Sequence, residues 1–146
     1  MNAHPMSPIF LVEDNPLDLD LACRAFASKR LANPLLTARD GDQAVQMLRQ
    51  FRDSGRLPIV MLLDLKLPRL SGLEVLQFMA GCEQLRRVPT IMLTSSKDDK
   101  DISEAYRLGA TAYIVKPVDF ENFMRVAETI HLHWCVFTEP RPQATV

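Results

Sequence analysis

The sequence has little that would mark a secreted, membrane-borne or nucleic-acid-binding protein. Its three cysteines, Cys23, Cys82 and Cys135, are odd in number and share no CxxC spacing. That sets aside a disulfide framework or a zinc site and leaves reduced thiols, as in a cytosolic chain. Positive charge is not in excess: 17 basic residues face 18 acidic ones, a net charge of −1. The broad positive field that nucleic-acid binding draws on is therefore absent. No apolar run approaches the ~18–20 residues of a membrane span, and Met1–Pro8 has neither the basic start nor the apolar stretch of a leader peptide. Internal repeats and low-complexity segments are missing too. The expectation is a soluble, cytoplasmic protein with no membrane or nucleic-acid partner. Its 146 residues, 47% hydrophobic and 24% charged, suit one globular domain with a core over about residues 8–130 and an extension over 131–146.

What is present is alternation. Short apolar runs, Ile9–Val12, Leu35–Ala38, Ile59–Leu63, Thr90–Leu93 and Ala112–Val115, are separated by longer amphipathic segments. The runs show no polar interleaving, which suits strands buried on both faces. Pro8, Pro34, Pro58 and Pro89 stand immediately before four of them, where a missing N–H disturbs no interior ladder bond. Helical patterns follow each run, the third opened by Ser71-Gly72, the fourth spanning about Asp98 to Leu108 and stopped by Gly109, the fifth starting near Asp119. Repeated strand–helix alternation predicts right-handed crossovers and a parallel sheet covered on both sides.

Polar residues gather where the strands end. Glu13 and Asp14 follow the first strand, Asp64 the third, Thr94 to Ser96 the fourth and Lys116 the fifth. In open parallel sheets ligands bind outside the carboxyl ends of the strands, where strand order reverses. Carboxylates set side by side repel one another unless a cation lies among them. Mg2+, which prefers oxygen ligands and phosphate, is the natural one. Lys116 supplies a point charge and Thr94 a hydroxyl for a phosphoryl oxygen, which together with a nucleophilic Asp64 is what phosphoryl transfer needs. Taken singly, each residue has a plainer reading: a helix cap for Glu13 and Asp14, a loop acid for Asp64, strand-end hydroxyls for Thr94 and Ser95, a solvated lysine for Lys116. It is the joint pattern that points to chemistry.

Four segments carry a resemblance: LVEDNPLD (Leu11–Asp18), LLDLKLPRLSGLEVL (Leu62–Leu76), IMLTSS (Ile91–Ser96) and AYIVKP (Ala112–Pro117). In order and spacing the chain resembles response-regulator receiver domains of the chemotaxis-regulator type. The resemblance implies a flavodoxin-like (βα)5 three-layer sandwich, strand order 2-1-3-4-5, with an extended C-terminal helix. It implies Asp64 as phosphoacceptor from a histidine kinase and Asp14 and Asp64 as direct Mg2+ ligands. Glu13 would act through a metal-bound water, and the Lys66 backbone carbonyl would complete the protein's share of the shell. It further implies Thr94 and Lys116 as phosphoryl contacts, Tyr113 as the switch aromatic and a cis Lys116–Pro117 bond. The Lys66 side chain is expected to tune phosphoryl lifetime. Arg52–Leu57 reads as an extra loop relative to the shortest members.

The final helix reads as longer than a receiver needs. Phe120, Phe123, Ala127, Ile130, Trp134 and Phe137 recur at spacings 3, 4, 3, 4 and 3, an a/d-type stripe. With VEDNPLDLDL at the start, this tail resembles the stand-alone response regulators paired with phytochrome kinases. A bacteriophytochrome partner is implied, together with a homodimer through the fourth-helix, fifth-strand and fifth-helix face that includes Phe123, Ile130, Trp134 and Phe137. His4, His131 and His133 are read without a role. No output unit is expected after residue 137, so the signal would pass by protein contact or by onward phosphotransfer. The chain is read as a signalling domain rather than an enzyme, one that assists its own phosphorylation and dephosphorylation. The alternatives are a phosphorylation-independent dimeric scaffold, which has no need of Asp14, Asp64, Thr94 and Lys116 together, and a metal-dependent phosphatase. The latter needs a second acid close after the nucleophile, where Lys66 stands.

Overall fold

The computed structural model describes residues 7–28, 33–116, 121, 122 and 125. Within them the apolar runs are strands: β1 (Ile9–Val12), β2 (Leu35–Ala38), β3 (Val60–Leu63), β4 (Thr90–Thr94) and β5 (Ala112–Val115). All pair in parallel, in the order β2-β1-β3-β4-β5. The prolines do more than mark strand starts. Lacking an N–H, they still offer a carbonyl: that of Pro34 accepts from Ile9 N–H, that of Pro8 from Ile59 N–H and that of Pro89 from Met61 N–H, at 2.8, 2.8 and 2.9 Å. Each knits the amino-terminal end of one strand to its neighbour.

Alternate residues of each strand point to opposite faces, and two cores result. Phe10, Val12, Met61, Leu63 and Met92 pack with Ala44, Leu48, Val75, Leu76, Met79 and Ala105, which belong to helices α2 (Gly41–Ser54), α3 (Gly72–Ala80) and α4 (Asp99–Arg107). Ile9, Leu11, Val60, Leu62, Ile91 and Leu93 pack with Ala22, Ala25 and Phe26 of helix α1 (Pro16–Ser28). The sandwich is three-layered, and the flavodoxin-like expectation holds.

Helix starts follow from short polar side chains. Asn15 Oδ1 accepts from the N–H groups of Leu17 and Asp18, with Pro16 at the first helical position of α1. Ser71 and Glu74 close a reciprocal capping box on α3. One expectation shifts: α2 runs through Arg52 and Asp53 to Ser54 and ends at Gly55, whose φ of 76° is left-handed. The extra length therefore lies partly in a helical turn, and the loop proper starts at Gly55. Of the helix expected from Asp119, residues 121, 122 and 125 are described and helical; the rest of it, the cis Lys116–Pro117 bond, the stripe residues Phe120, Phe123, Ala127, Ile130, Trp134 and Phe137, Cys135, His4, His131 and His133 lie outside the described residues.

Candidate functional site

Strand order reverses at β1, which lies between β2 and β3. Val12 is in register with Leu63, so the next residues, Glu13 and Asp64, emerge side by side at the carboxyl edge. Their backbones continue the ladder: Glu13 N–H donates to Ala38 O and Asp64 N–H to Val12 O, both at 3.0 Å. Glu13 and Asp64 are buried and Asp14 is half-buried. One carboxylate oxygen from each of the three falls within 4.8 Å of the others. Such an all-oxygen set suits a hard divalent cation.

Lys116 reaches this cluster from the end of β5, its backbone N–H held by Thr94 O at 2.7 Å. The ammonium lies 2.8 Å from Glu13 Oε1, 3.1 Å from Asp64 Oδ2 and 2.8 Å from Asp18 Oδ2. Burial alone would push its pKa down, but hydrogen bonds to Asp18 and Glu13 and the Asp64 charge outweigh that, and the ammonium titrates above the ordinary lysine range. For Glu13 the balance goes the other way. Burial raises its pKa, the Lys116 hydrogen bond opposes, the Asp64 charge raises it again and the Asn15 N–H opposes, leaving it pushed up to about 7. A carboxyl so placed is half-ready to protonate, and a cation among the three acids would hold it ionised. The residues present thus fit Mg2+, with Asp14, Asp64 and Glu13 as the side chains able to hold it.

The loop after β3 is firmly positioned. Asp64 Oδ1 accepts from Lys66 N–H at 3.2 Å, while the Lys66 side chain is exposed. Gly72 N–H donates to Leu65 O at 2.7 Å. Arg69 takes a φ of 72°, uncommon for a residue with a Cβ, and its guanidinium nitrogens lie 3.8 and 3.7 Å from Asp40 and Asp42 at the start of α2. The Gly41 N–H bonds Pro68 O at 3.1 Å, so the loop bearing Asp64 is tied to the α2 amino terminus.

Thr94 is fully buried, and its Oγ1 accepts from Ser96 N–H at 3.4 Å. Ser96, which the sequence marks only as a polar residue at a strand end, is a junction. Its hydroxyl donates to Asp101 Oδ2 at 2.6 Å and accepts from Asp98 N–H at 3.2 Å, and its carbonyl accepts the Tyr113 hydroxyl at 3.0 Å. Burial raises the Tyr113 pKa, with the hydrogen bond to Ser96 opposing. The structure therefore brings Glu13, Asp14, Asp64 and Lys116 together, sets Thr94 one strand away facing Ser96, and links Tyr113 to that same turn. Phe123, Ile130, Trp134 and Phe137 lie outside the described residues. Asp18 was also missed: nothing in its spacing shows that the first turn of α1 meets Lys116.

The family described as response regulator receiver domain matches residues 9–128. A probable methanogenesis regulatory protein, FilR2, of Methanothrix harundinacea is 39% identical over 86% of this chain and 82% of its own length. The response regulator Rcp1 of Synechocystis is 30% identical over 90% and 91%. Among solved structures, the phosphorylated cyanobacterial phytochrome response regulator RcpA superimposes with a TM-score of 0.78 at 34% identity, covering 88% of this chain and 94% of that one. The bacteriophytochrome response regulator AtBRR gives 0.72 at 43%, covering 92% and 99%. The Mn2+-bound form of Rcp1 gives 0.77 at 29%, covering 93% and 99%. The buried acids at the β1–β3 switch point, the lysine that spans them and a family match over most of the length together make the chain a member of the response-regulator receiver family, similar to the stand-alone regulators associated with phytochromes.

Proposed function

We propose that this receiver takes a phosphoryl group from the phosphohistidine of a histidine kinase onto Asp64. A carboxylate oxygen of Asp64 attacks phosphorus, the P–N bond to the imidazole breaks, and the leaving nitrogen keeps the electron pair and is protonated. The observation that carries this reading is the position of Asp64, buried against Glu13 and within 3.1 Å of the Lys116 ammonium. Asp14, Asp64, the Lys66 carbonyl and, through water, Glu13 would hold Mg2+, which when bound would supply charge neutralisation for the transferring group. Lys116 pairs with a phosphoryl oxygen. Thr94 exchanges its Ser96 contact for another oxygen, and Tyr113, anchored to the same turn, follows. The exposed Lys66 side chain tunes how long the acyl phosphate lasts, and the same residues assist its hydrolysis.

The likeness to phytochrome regulators supports a bacteriophytochrome-type kinase as partner and a cytoplasmic homodimer through the α4–β5 face and the stripe Phe123, Ile130, Trp134 and Phe137. Sedimentation of a Trp134→Ala/Phe137→Ala variant at unchanged mass would remove the dimer from this reading. The phosphoacceptor is tested by incubating wild type and Asp64→Asn with Mg2+ and a small phosphodonor. Intact mass spectrometry is expected to show one acid-stable, base-labile phosphoryl group on wild type only. Equal labelling of both proteins refutes Asp64 as the acceptor.

A further inference from the structure

Lys116 is held by a carboxylate that the metal cluster does not contain. Glu13 and Asp64 belong with Asp14 to the group of oxygens able to hold a cation; Asp18, 2.8 Å from the ammonium, stands apart from it on α1. An ammonium has three N–H donors, and here three carboxylates take them, from Glu13, Asp18 and Asp64. A divalent cation entering among Glu13, Asp14 and Asp64 competes with Lys116 for two of its three partners. The lysine side chain is only 11% exposed, so water is a poor substitute for a lost counter-charge.

Asp18 is placed to resolve that competition. Its side chain is 19% exposed, and its own N–H is bonded to Asn15 Oδ1 at 3.1 Å. This fixes it to the turn that also carries Glu13 and Asp14. A partner so anchored keeps Lys116 at the pocket wall with donors to spare for an arriving oxygen anion.

We propose that Asp18 is a positioning residue that retains the Lys116 ammonium when a divalent cation claims Glu13 and Asp64, so that metal and lysine occupy the pocket together. The inference rests on the Mg2+ reading above. It also gives α1 a stake in the site: the helix is joined to β5 through this pair.

The test is a double-mutant cycle read by Mg2+ titration calorimetry on wild type, Asp18→Asn, Lys116→Met and the double variant, each checked for fold by circular dichroism. Asp18→Asn is expected to weaken Mg2+ binding about fivefold, because Lys116 then falls back on Glu13 and Asp64; in the Lys116→Met background the same change moves the affinity less than about twofold. In 15N-lysine spectra with Mg2+ present, the Lys116 ammonium signal is sharp in wild type and exchange-broadened in Asp18→Asn. Equal weakening in both backgrounds would mean that Asp18 acts only as a distant charge, and overturns the proposal. So does an Asp18→Asn affinity equal to wild type. Failure of wild type itself to bind Mg2+ brings down the metal reading and this inference with it, whereas normal wild-type binding with an indifferent Asp18 brings down this inference alone.

Discussion

Adding one methyl group at Gly72 tests how tightly the loop bearing Asp64 is built. A Cβ there would lie 2.2 Å from the Asp64 carbonyl oxygen and 2.7 Å from Leu65 Cα. These are backbone atoms, so no side chain can swing away, and the gap is roughly 1 Å short of an ordinary contact. The Gly72 N–H is also bonded to Leu65 O at 2.7 Å, so relief by shifting the helix start breaks that bond. Against this, alanine is favoured over glycine in a helix by about 1 kcal/mol. Overpacking a close-fitted site costs about 1–3 kcal/mol and more when backbone must move, so Gly72→Ala is expected to lose about 2 kcal/mol. For a chain of this length that is a fall in Tm of about 4–8 °C. Gly81→Ala is the matched control: its nearest neighbour would be Phe78 O at 3.6 Å, its φ is −83°, and it should be neutral or slightly stabilising. Urea unfolding followed by circular dichroism compares the three proteins. Equal stability of Gly72→Ala and Gly81→Ala would refute the claim that β3 and α3 meet without room for a side chain.

Two further outcomes are expected. Because metal-free Glu13 is pushed up to about 7, a proton competes with a cation for that carboxylate: the protonated form prevails below that pH and the ionised form above it. Mg2+ affinity measured by calorimetry should therefore rise about tenfold per unit below about pH 6 and level off above about pH 8, and an affinity flat across that range contradicts the assignment. Ser96→Ala removes the donor to Asp101 and the acceptor for Asp98 N–H. It should cost about 1–3 kcal/mol in urea unfolding, and a loss under about 0.5 kcal/mol would show that the turn does not depend on this hydroxyl.

The central strands β1, β3 and β4 were legible because each is buried on both faces and so reads as an unbroken apolar run; the edge strands β2 and β5 read alike although they are only partly covered. The acids at the strand ends stood out because nothing in such a run prepares for a charge. Glu13 and Asp64 come together once the strand order that the resemblance implies sets β1 beside β3, whereas Lys116, from the edge strand β5, reaches them across β4 by the length of its side chain. Contacts made by helix side chains were not legible. Asp18 meets Lys116 only because α1 packs on the face formed by Leu11, Leu93 and Ile114, and no local periodicity encodes that approach. Ser96 stood among the strand-end polar residues, but its role as a junction was not legible for a related reason: a serine in a turn is ordinary, and its bonds to Asp101 and Tyr113 exist only once those residues are folded around it. The end of α2 was misjudged because Arg52, Asp53 and Ser54 are polar enough for a loop, yet a helix is free to end in a solvated polar turn. The left-handed Gly55 was the better marker.

Dissolved phosphate is plentiful inside cells, and the transfer proposed for Asp64 calls for a pocket that ignores it. The saturated Lys116 ammonium meets that need. With a carboxylate on each of its three donors, the cation-free pocket presents four acids around one spent positive charge and repels a free oxyanion. Under the proposed transfer, a group bonded covalently to Asp64, with a counterion seated, would stay where free phosphate does not.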